Sequence, residues 1–320
     1  MPIAATDTMP SFDRLLVATD FSAASQAACH TAIDTCIALR ASLVILHVFQ
    51  PVKSSSPDTD EHEAGGRVLE AQAHYDACLG SLQAICRQAM QAGVDCEAIL
   101  GNGNTTSTIL DTIAAKKINL AIMGTSALHG LERIVFDSTT EAVLRQAPCP
   151  VLTVGPRAMN PERALQSEEP VIFATDFHFI TIQAIRFAAC FSQLTASPLH
   201  CLHVMPRTLE ACTQCQVVPD IMSEALQQLA NESGVVVETP ICATTYGSEV
   251  SYAVVEYARQ QKAKLIVLGV RKASLADSHA PLHIAYRIIT EAPCPVLTMA
   301  FASQPDVTVE TATRKVPATI

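Results

Sequence analysis

Two apolar runs of strand length end in a hydroxyl followed by a carboxylate: Leu15-Leu16-Val17-Ala18-Thr19-Asp20 and Val171-Ile172-Phe173-Ala174-Thr175-Asp176. At the carboxyl end of a buried strand, such a pair can meet a bound ligand. The same aspartate can instead hold the backbone turn into the next helix. A second group lies farther along, where Leu120-Ala121-Ile122-Met123 runs into Gly124, and Ser138-Thr139 opens a helical stretch. A glycine at a strand tip lets backbone approach a phosphate. The free N–H groups of a helix N-terminus favour anions.

Other chemistries are poorly supplied. The chain has no G-x-S-x-G elbow, no G-x-x-x-x-G-K-S/T loop and no G-x-G-x-x-G after its first strand. H-x-G-H and S-G-G-x-D-S, which mark adenylating enzymes on related folds, are missing too. His74 and Cys78 lie four apart on one helical face, and Cys212-Thr213-Gln214-Cys215 is a lone CxxC. Neither supplies the three or four ligands of a zinc site, so no metal site is expected. His47 and His203 occupy matching strand positions, which points to a shared packing or hydrogen-bonding role. His200 and His203 are three apart, hence on opposite strand faces, and cannot chelate together.

The elements that must position these groups alternate. Strands are expected at Leu15–Thr19, Leu43–Phe49, Val94–Leu100, Leu120–Met123 and Val151–Val154. Between them fall a helix capped by Ser22 and long helical stretches at Leu69–Ala92, Thr105–Lys117 and Ser138–Gln146. In the first helix Ala28, Ala32 and Cys36 share a face, flanked by Cys29, Ile33 and Ile37; in the third, Ile109 and Ile113 point inward. Pro51 to Gly66 is polar and reads as a loop, and Gly93 stops the long helix. Strand–helix alternation of this kind predicts a parallel, doubly wound sheet.

The whole pattern then repeats, with strands near Val171–Thr175, Pro198–Val204, Val235–Cys242, Leu265–Gly269 and Val296–Met299, and a helix between Val217 and Ser233. Leu46-His47-Val48 returns as Leu202-His203-Val204, and Ala147-Pro148-Cys149-Pro150-Val151-Leu152-Thr153 returns as Ala292-Pro293-Cys294-Pro295-Val296-Leu297-Thr298. Asp20 and Asp176 are 156 apart, but Gly124 and Gly269 are 145 apart, a net loss of eleven residues between the second and fourth strands of the second copy. Two domains follow, at 12–156 and 168–301, with a linker at 157–167 and a disordered tail at 302–320.

The 320 residues are 49% hydrophobic and 16% charged, which suits buried sheets. A net charge of −10 without a basic block argues against nucleic-acid and anionic-membrane surfaces. The N-terminal segment has neither a positive n-region nor an apolar h-region, and the apolar runs are too short to span a bilayer. A soluble, cytoplasmic protein is expected. The twelve cysteines then read as reduced thiols filling core positions.

The Val-Ala-Thr-Asp and Phe-Ala-Thr-Asp openings, the two Leu-His-Val strands and the two Ala-Pro-Cys-Pro-Val-Leu-Thr endings resemble the universal stress protein family, twice over in one chain. The resemblance runs from Arg14 to Met299 and implies two Rossmann-like domains of the adenine nucleotide alpha hydrolase type, each a five-stranded parallel doubly wound sheet. It implies a nucleotide pocket at Ala18, Thr19, Asp20, Val48, Met123, Gly124, Ser138 and Thr139. The ATP-binding branch carries a loop G-x-x-G-x(9)-G-S/T. From Gly124 that pattern meets Ala127, Asp137 and Ser138; from Gly269 it meets Lys272, Leu282 and His283. The first copy keeps one glycine of three and the serine, and Asp137 adds a charge that repels phosphate unless a cation, Arg133 or His129 intervenes. The second copy is degenerate. In the family the closing strands pair two domains, which here implies an intramolecular pseudo-dimer through Val151–Val154 and Val296–Met299; a homodimer of whole chains is allowed as well.

Three functions fit this pattern. The first is a non-enzymatic stress-response module that binds an adenine nucleotide, ATP or AMP with or without magnesium, in its first domain. The second is a signalling or scaffold protein that acts through an unidentified protein partner and binds no nucleotide. The third is a weak ATPase in which Asp137 holds magnesium.

Overall fold

A computed structural model of the chain describes residues 10–50, 61–125, 138–158, 168–210, 218–232, 240–272 and 281–302. The first half runs β1 (Arg14–Ala18), α1 (Ala23–Leu39), β2 (Ser42–Phe49), α2 (Glu61–Gln91), β3 (Cys96–Asn102), α3 (Thr105–Ala115), β4 (Leu120–Gly124), α4 (Ser138–Gln146) and β5 (Val151–Val154). The second half repeats it as β6 (Val171–Ala174), α5 (Phe179–Leu194), β7 (Leu199–Pro206), α6 (Val218–Glu232), β8 (Ile241–Gly247), α7 (Val250–Gln260), β9 (Leu265–Lys272), α8 (Pro281–Glu291) and β10 (Val296–Ala302).

All the strands join one sheet in the order β3-β2-β1-β4-β5-β10-β9-β6-β7-β8. Pairing within each half is parallel, and the halves meet where β5 runs antiparallel to β10, with Leu152 opposite Leu297. Both faces are covered, so the strands are apolar throughout: Leu15, Leu16 and Val17 are all fully buried. One core layer packs β1 residues such as Leu15 and Val17 under α1, α2, α5 and α6; the other packs Leu16 and Val44 under α3, α4, α7 and α8. Each layer continues across both halves.

Two further contacts tie the halves. Phe12 inserts against Phe187 and Phe191 of α5, edge to face at 5.9 and 4.8 Å, and Cys190 Sγ donates to the Pro10 carbonyl. Gly155, just past β5, sits so close to α8 that a Cβ there would lie 2.0 Å from the Ile289 carbonyl oxygen.

The helix ends follow local chemistry. Ser22 caps α1 by accepting from Ser25 N–H, Asn104 caps α3 by accepting from Ser107 N–H, and α1 stops at Arg40 in a left-handed turn (φ 56°). The cysteines among the described residues are free, and burial pushes the thiols of Cys29 and Cys190 up to about 11 and that of Cys36 to about 12. They behave as small core residues. Among the described residues no helix is long and apolar enough to cross a membrane.

Several boundaries differ from the sequence expectation. Helix α2 starts at Glu61, not Leu69, so Gly65 and Gly66 are helical. Strand β8 continues past the expected end at Cys242 to Gly247, because it must lie opposite β7, where His200 faces Ile241 and Pro206 faces Gly247; the expected start at 235–239 lies outside the described residues. Strand β3 shifts two residues for the same reason, pairing Leu43 with Cys96. Ile37 is 38% exposed, off the buried stripe of α1. Strand β9 continues past Gly269 to Lys272. The end of the expected linker (159–167) and the tail from 303 onward lie outside the described residues, whereas Ala158 at the linker's start is buried in the core.

Gly155→Ala is expected to destabilise the chain by about 1–3 kcal/mol, because the atom it meets is backbone that cannot swing aside. Gly80→Ala, in helix α2 with nothing within 4 Å, should instead stabilise by about 0.5–1 kcal/mol. Urea unfolding of both variants checks the contrast; equal shifts would remove the Gly155 contact from the account.

Candidate functional site

Strands β1 and β4 are neighbours although α1, β2, α2, β3 and α3 separate them in sequence. Chains leave their two tips toward opposite faces of the sheet, which opens a crevice at the carboxyl edge. Val17 lies opposite Ile122, so Thr19 and Gly124 end side by side. A cavity of about 430 Å³ fills this crevice, within the usual range of small-molecule sites.

The turn after β1 is built from its own side chains. Phe21 N–H donates to Thr19 Oγ1 at 3.0 Å, and Ser22 N–H donates to Asp20 Oδ1 at 3.0 Å. Thr19 Oγ1 donates to Ser25 Oγ, buried at 3.0 Å. From β2, His47 Nδ1 lies 2.7 Å from the Thr19 carbonyl. A carbonyl only accepts, so Nδ1 carries the proton. Phe21 takes φ 64°, a left-handed conformation uncommon for a bulky residue, with its ring 4.5 Å from that of His47. The second half repeats the turn and the histidine contact. Phe177 has φ 60°, its N–H donates to Thr175 Oγ1, His178 N–H donates to Asp176 Oδ1, and His203 Nδ1 lies 2.9 Å from the Thr175 carbonyl.

Burial raises the Asp20 carboxyl, but hydrogen bonds from Ser22, Ser25 and the backbone outweigh it and hold the pKa below the ordinary 3.8. The carboxylate is therefore ionised at neutral pH, and one of its oxygens is engaged by the turn. The structural role and a place on the cavity wall coexist in the same residue.

The cavity gathers most of the expected set. Ala18, Thr19, Asp20, Val48, Met123, Gly124 and Thr139 all line it. Ser138 is the first residue of α4, and its side chain lies outside the described residues. Ala127, His129, Arg133 and Asp137 lie outside them as well. Sequence reasoning missed Gln50, His74, Cys78, Thr105 and Thr140. Gln50 Nε2 donates to Thr105 Oγ1 at 2.9 Å, joining the end of β2 to the start of α3. Thr140 Oγ1 donates to the Gly124 carbonyl at 3.3 Å. The helical spacing of His74 and Cys78 held the signal for one wall, but nothing local said which way that face turned. Among the described residues no three His, Cys, Asp or Glu side chains gather as a metal site.

Gly124 has a different duty from the expected one. A Cβ there would lie 2.2 Å from the Ala24 carbonyl oxygen, backbone of the first turn of α1. The missing side chain lets α1 close onto β4, so the space it leaves is occupied by protein rather than left for a phosphate.

With this geometry the relatives agree. The sequence profile of the Universal stress protein family matches residues 11–155 and 169–299. The chain belongs to the universal stress protein family, with two of its domains in tandem. A universal stress protein of Thermus aquaticus is 29% identical over 143 residues, covering 45% of this chain and 98% of its own. The Bacillus subtilis universal stress protein YxiE is 29% identical over 152 residues, covering 45% of this chain and 99% of its own. Among solved structures, a universal stress protein from Archaeoglobus fulgidus superposes with a TM-score of 0.67 at 18% identity, over 90% of this chain and 98% of that one. These single-domain and whole-chain likenesses match the repeat: one relative per half, or one tandem fold for both.

Gly124→Ala is expected to lower the melting temperature of the ligand-free chain, at a cost of about 1–3 kcal/mol. A variant as stable as the parent would show that α1 can retreat from β4. Asp20→Ala should cost at most about 1 kcal/mol at pH 7, since the carboxylate is exposed. Its pKa is lowered in the folded state, so its contribution is present above pH 4 and fades as pH falls below that. The stability gap between parent and variant, followed by denaturant titration from pH 7 to pH 2, should therefore close in acid; a constant gap would mean that the charge has no part in it.

Proposed function

We propose that the first half binds an adenine nucleotide, ATP or AMP, and that the protein acts as a stress-response binding module without turnover. The observation that carries the reading is the convergence of helix starts on the first cavity. Thr105 opens α3, Ser22 caps α1 and Thr139 lies in the first turn of α4, and all three residues line the cavity. The positive dipole ends there favour phosphate oxygens. The deeper wall, with Leu46, Val48, Ile109 and Met123, is apolar and suits a base. Thr19 and Asp20 at the β1 tip are in reach of ribose hydroxyls in this reading.

Magnesium enters as the nucleotide's own counter-ion, offsetting the Asp20 charge. The family membership supports a stress-linked role in the cytoplasm and binding without turnover. The scaffold reading is the outcome that remains when no nucleotide binds.

Calorimetric titration of the full chain with ATP, ADP and AMP tests the reading. Saturable binding of one nucleotide per chain is expected. Thr105→Val combined with Thr139→Ile should weaken it at least about tenfold through lost hydroxyl contacts to charged oxygens. No heat at millimolar nucleotide would overturn nucleotide binding by this half.

A further inference from the structure

The second half keeps a cavity of about 330 Å³ at the matching crevice between β6 and β9. From α3 onward the halves align without a gap at an offset of 145 residues, so the two linings compare position by position. Thr105, Thr139 and Thr140 of the first cavity become Val250, Ile284 and Ala285 in the second. Among the described residues, the three hydroxyls that the helix starts α3 and α4 offer to the first cavity are thus aliphatic groups in the second. Val250 and Ile284 stand at its mouth, 43% and 46% exposed, with their apolar surface facing water.

The charge pattern changes in the same direction. Asn104, the neutral cap of α3, corresponds to Glu249 ahead of α7, which pairs with Arg287 at 2.8 Å. A carboxylate at that helix start opposes a second anion. Helix α8 begins at Pro281, which has no N–H to give. The β6 tip still carries the Asp176 carboxylate, and His203 still spends Nδ1–H on the Thr175 carbonyl. In the neutral ring that leaves Nε2 as an acceptor on a residue that lines the cavity.

We propose that the second cavity is a site for an uncharged aliphatic molecule bearing one hydrogen-bond-donating head group, of the class of medium-chain alcohols. Its apolar body lies along Val250, Val254, Ile284 and Ile288, and its hydroxyl faces His203 and the Asp176 tip. The replacement of phosphate-binding groups is then a change of ligand rather than the decay of a site. The proposal stands whether or not the first half binds a nucleotide.

The full chain titrated with 1-decanol, read by displacement of Nile red, tests it. One saturable site is expected, insensitive to millimolar ATP. The combined variant Val250→Thr, Ile284→Thr and Ala285→Thr should weaken decanol at least about tenfold, while the first-cavity variant Thr105→Asn with Thr139→Asn leaves it unchanged. Decanoate should bind more weakly than decanol. No saturable binding, indifference to the triple variant, or loss in the first-cavity variant would overturn the proposal, and equal or tighter binding of decanoate would overturn the head-group assignment. If circular dichroism shows the triple variant unfolded, photolabelling of the parent chain with a diazirine-bearing decanol decides: adducts within 250–254 and 284–288 are expected, and adducts confined elsewhere sink the site.

Discussion

The antiparallel pairing of β5 with β10 is the constraint on which the rest of the architecture hangs. Each is the last strand of its half, and each would otherwise present unpaired backbone groups at a sheet edge. Strand β5 is only four residues long and buried throughout. It can be so apolar because it is an interior strand of a ten-stranded sheet rather than the rim of a smaller one. Thr298 Oγ1 adds a buried hydrogen bond to the Val151 carbonyl. Once the seam is made, α4 packs over β10 and Gly155 must admit the α8 backbone, and the seam strands in turn pair with β4 and β9, where Val154 lies opposite Gly124 and Met299 opposite Gly269 at the two crevices.

Duplication kept the frame of the crevice and released its rim. The turn after the first strand of each half is identical in parts: a threonine bonding its own chain, an aspartate closing the turn, a left-handed phenylalanine and a histidine from the next strand gripping the carbonyl. These groups satisfy backbone that a buried turn would otherwise strand. They are needed whatever ligand arrives. At the helix starts that open onto the cavities the halves part company.

Much of this was legible in the chain, for physical reasons. Buried parallel strands must be continuously apolar, and the repeat gave each one a second reading, so strand order and the matched histidines stood out. Register was not legible. Strand β8 is decided by what lies opposite it on β7, which carries it past Cys242 to Gly247. Gly124 shows a subtler limit. The sequence marks a place where a side chain is excluded, but the excluding group is the Ala24 carbonyl, supplied by a helix a hundred residues earlier in the chain. The cavity wall from α2 was hidden likewise, since helical spacing places His74 and Cys78 on one face without aiming that face.

The packing of Pro10 and Phe12 against α5 has a consequence in time. Cys190 reaches back to Pro10 across 180 residues of chain. During synthesis at about 5–20 residues per second, that is a wait of roughly ten to forty seconds before Phe12 can find Phe187 and Phe191. By the time β5 has been made the first half is complete in sequence, yet it still lacks the cover for Phe12, which comes with α5, and the partner for β5, which comes last of all with β10. The nascent chain must therefore keep an apolar edge and an aromatic ring out of other hands until its second half emerges.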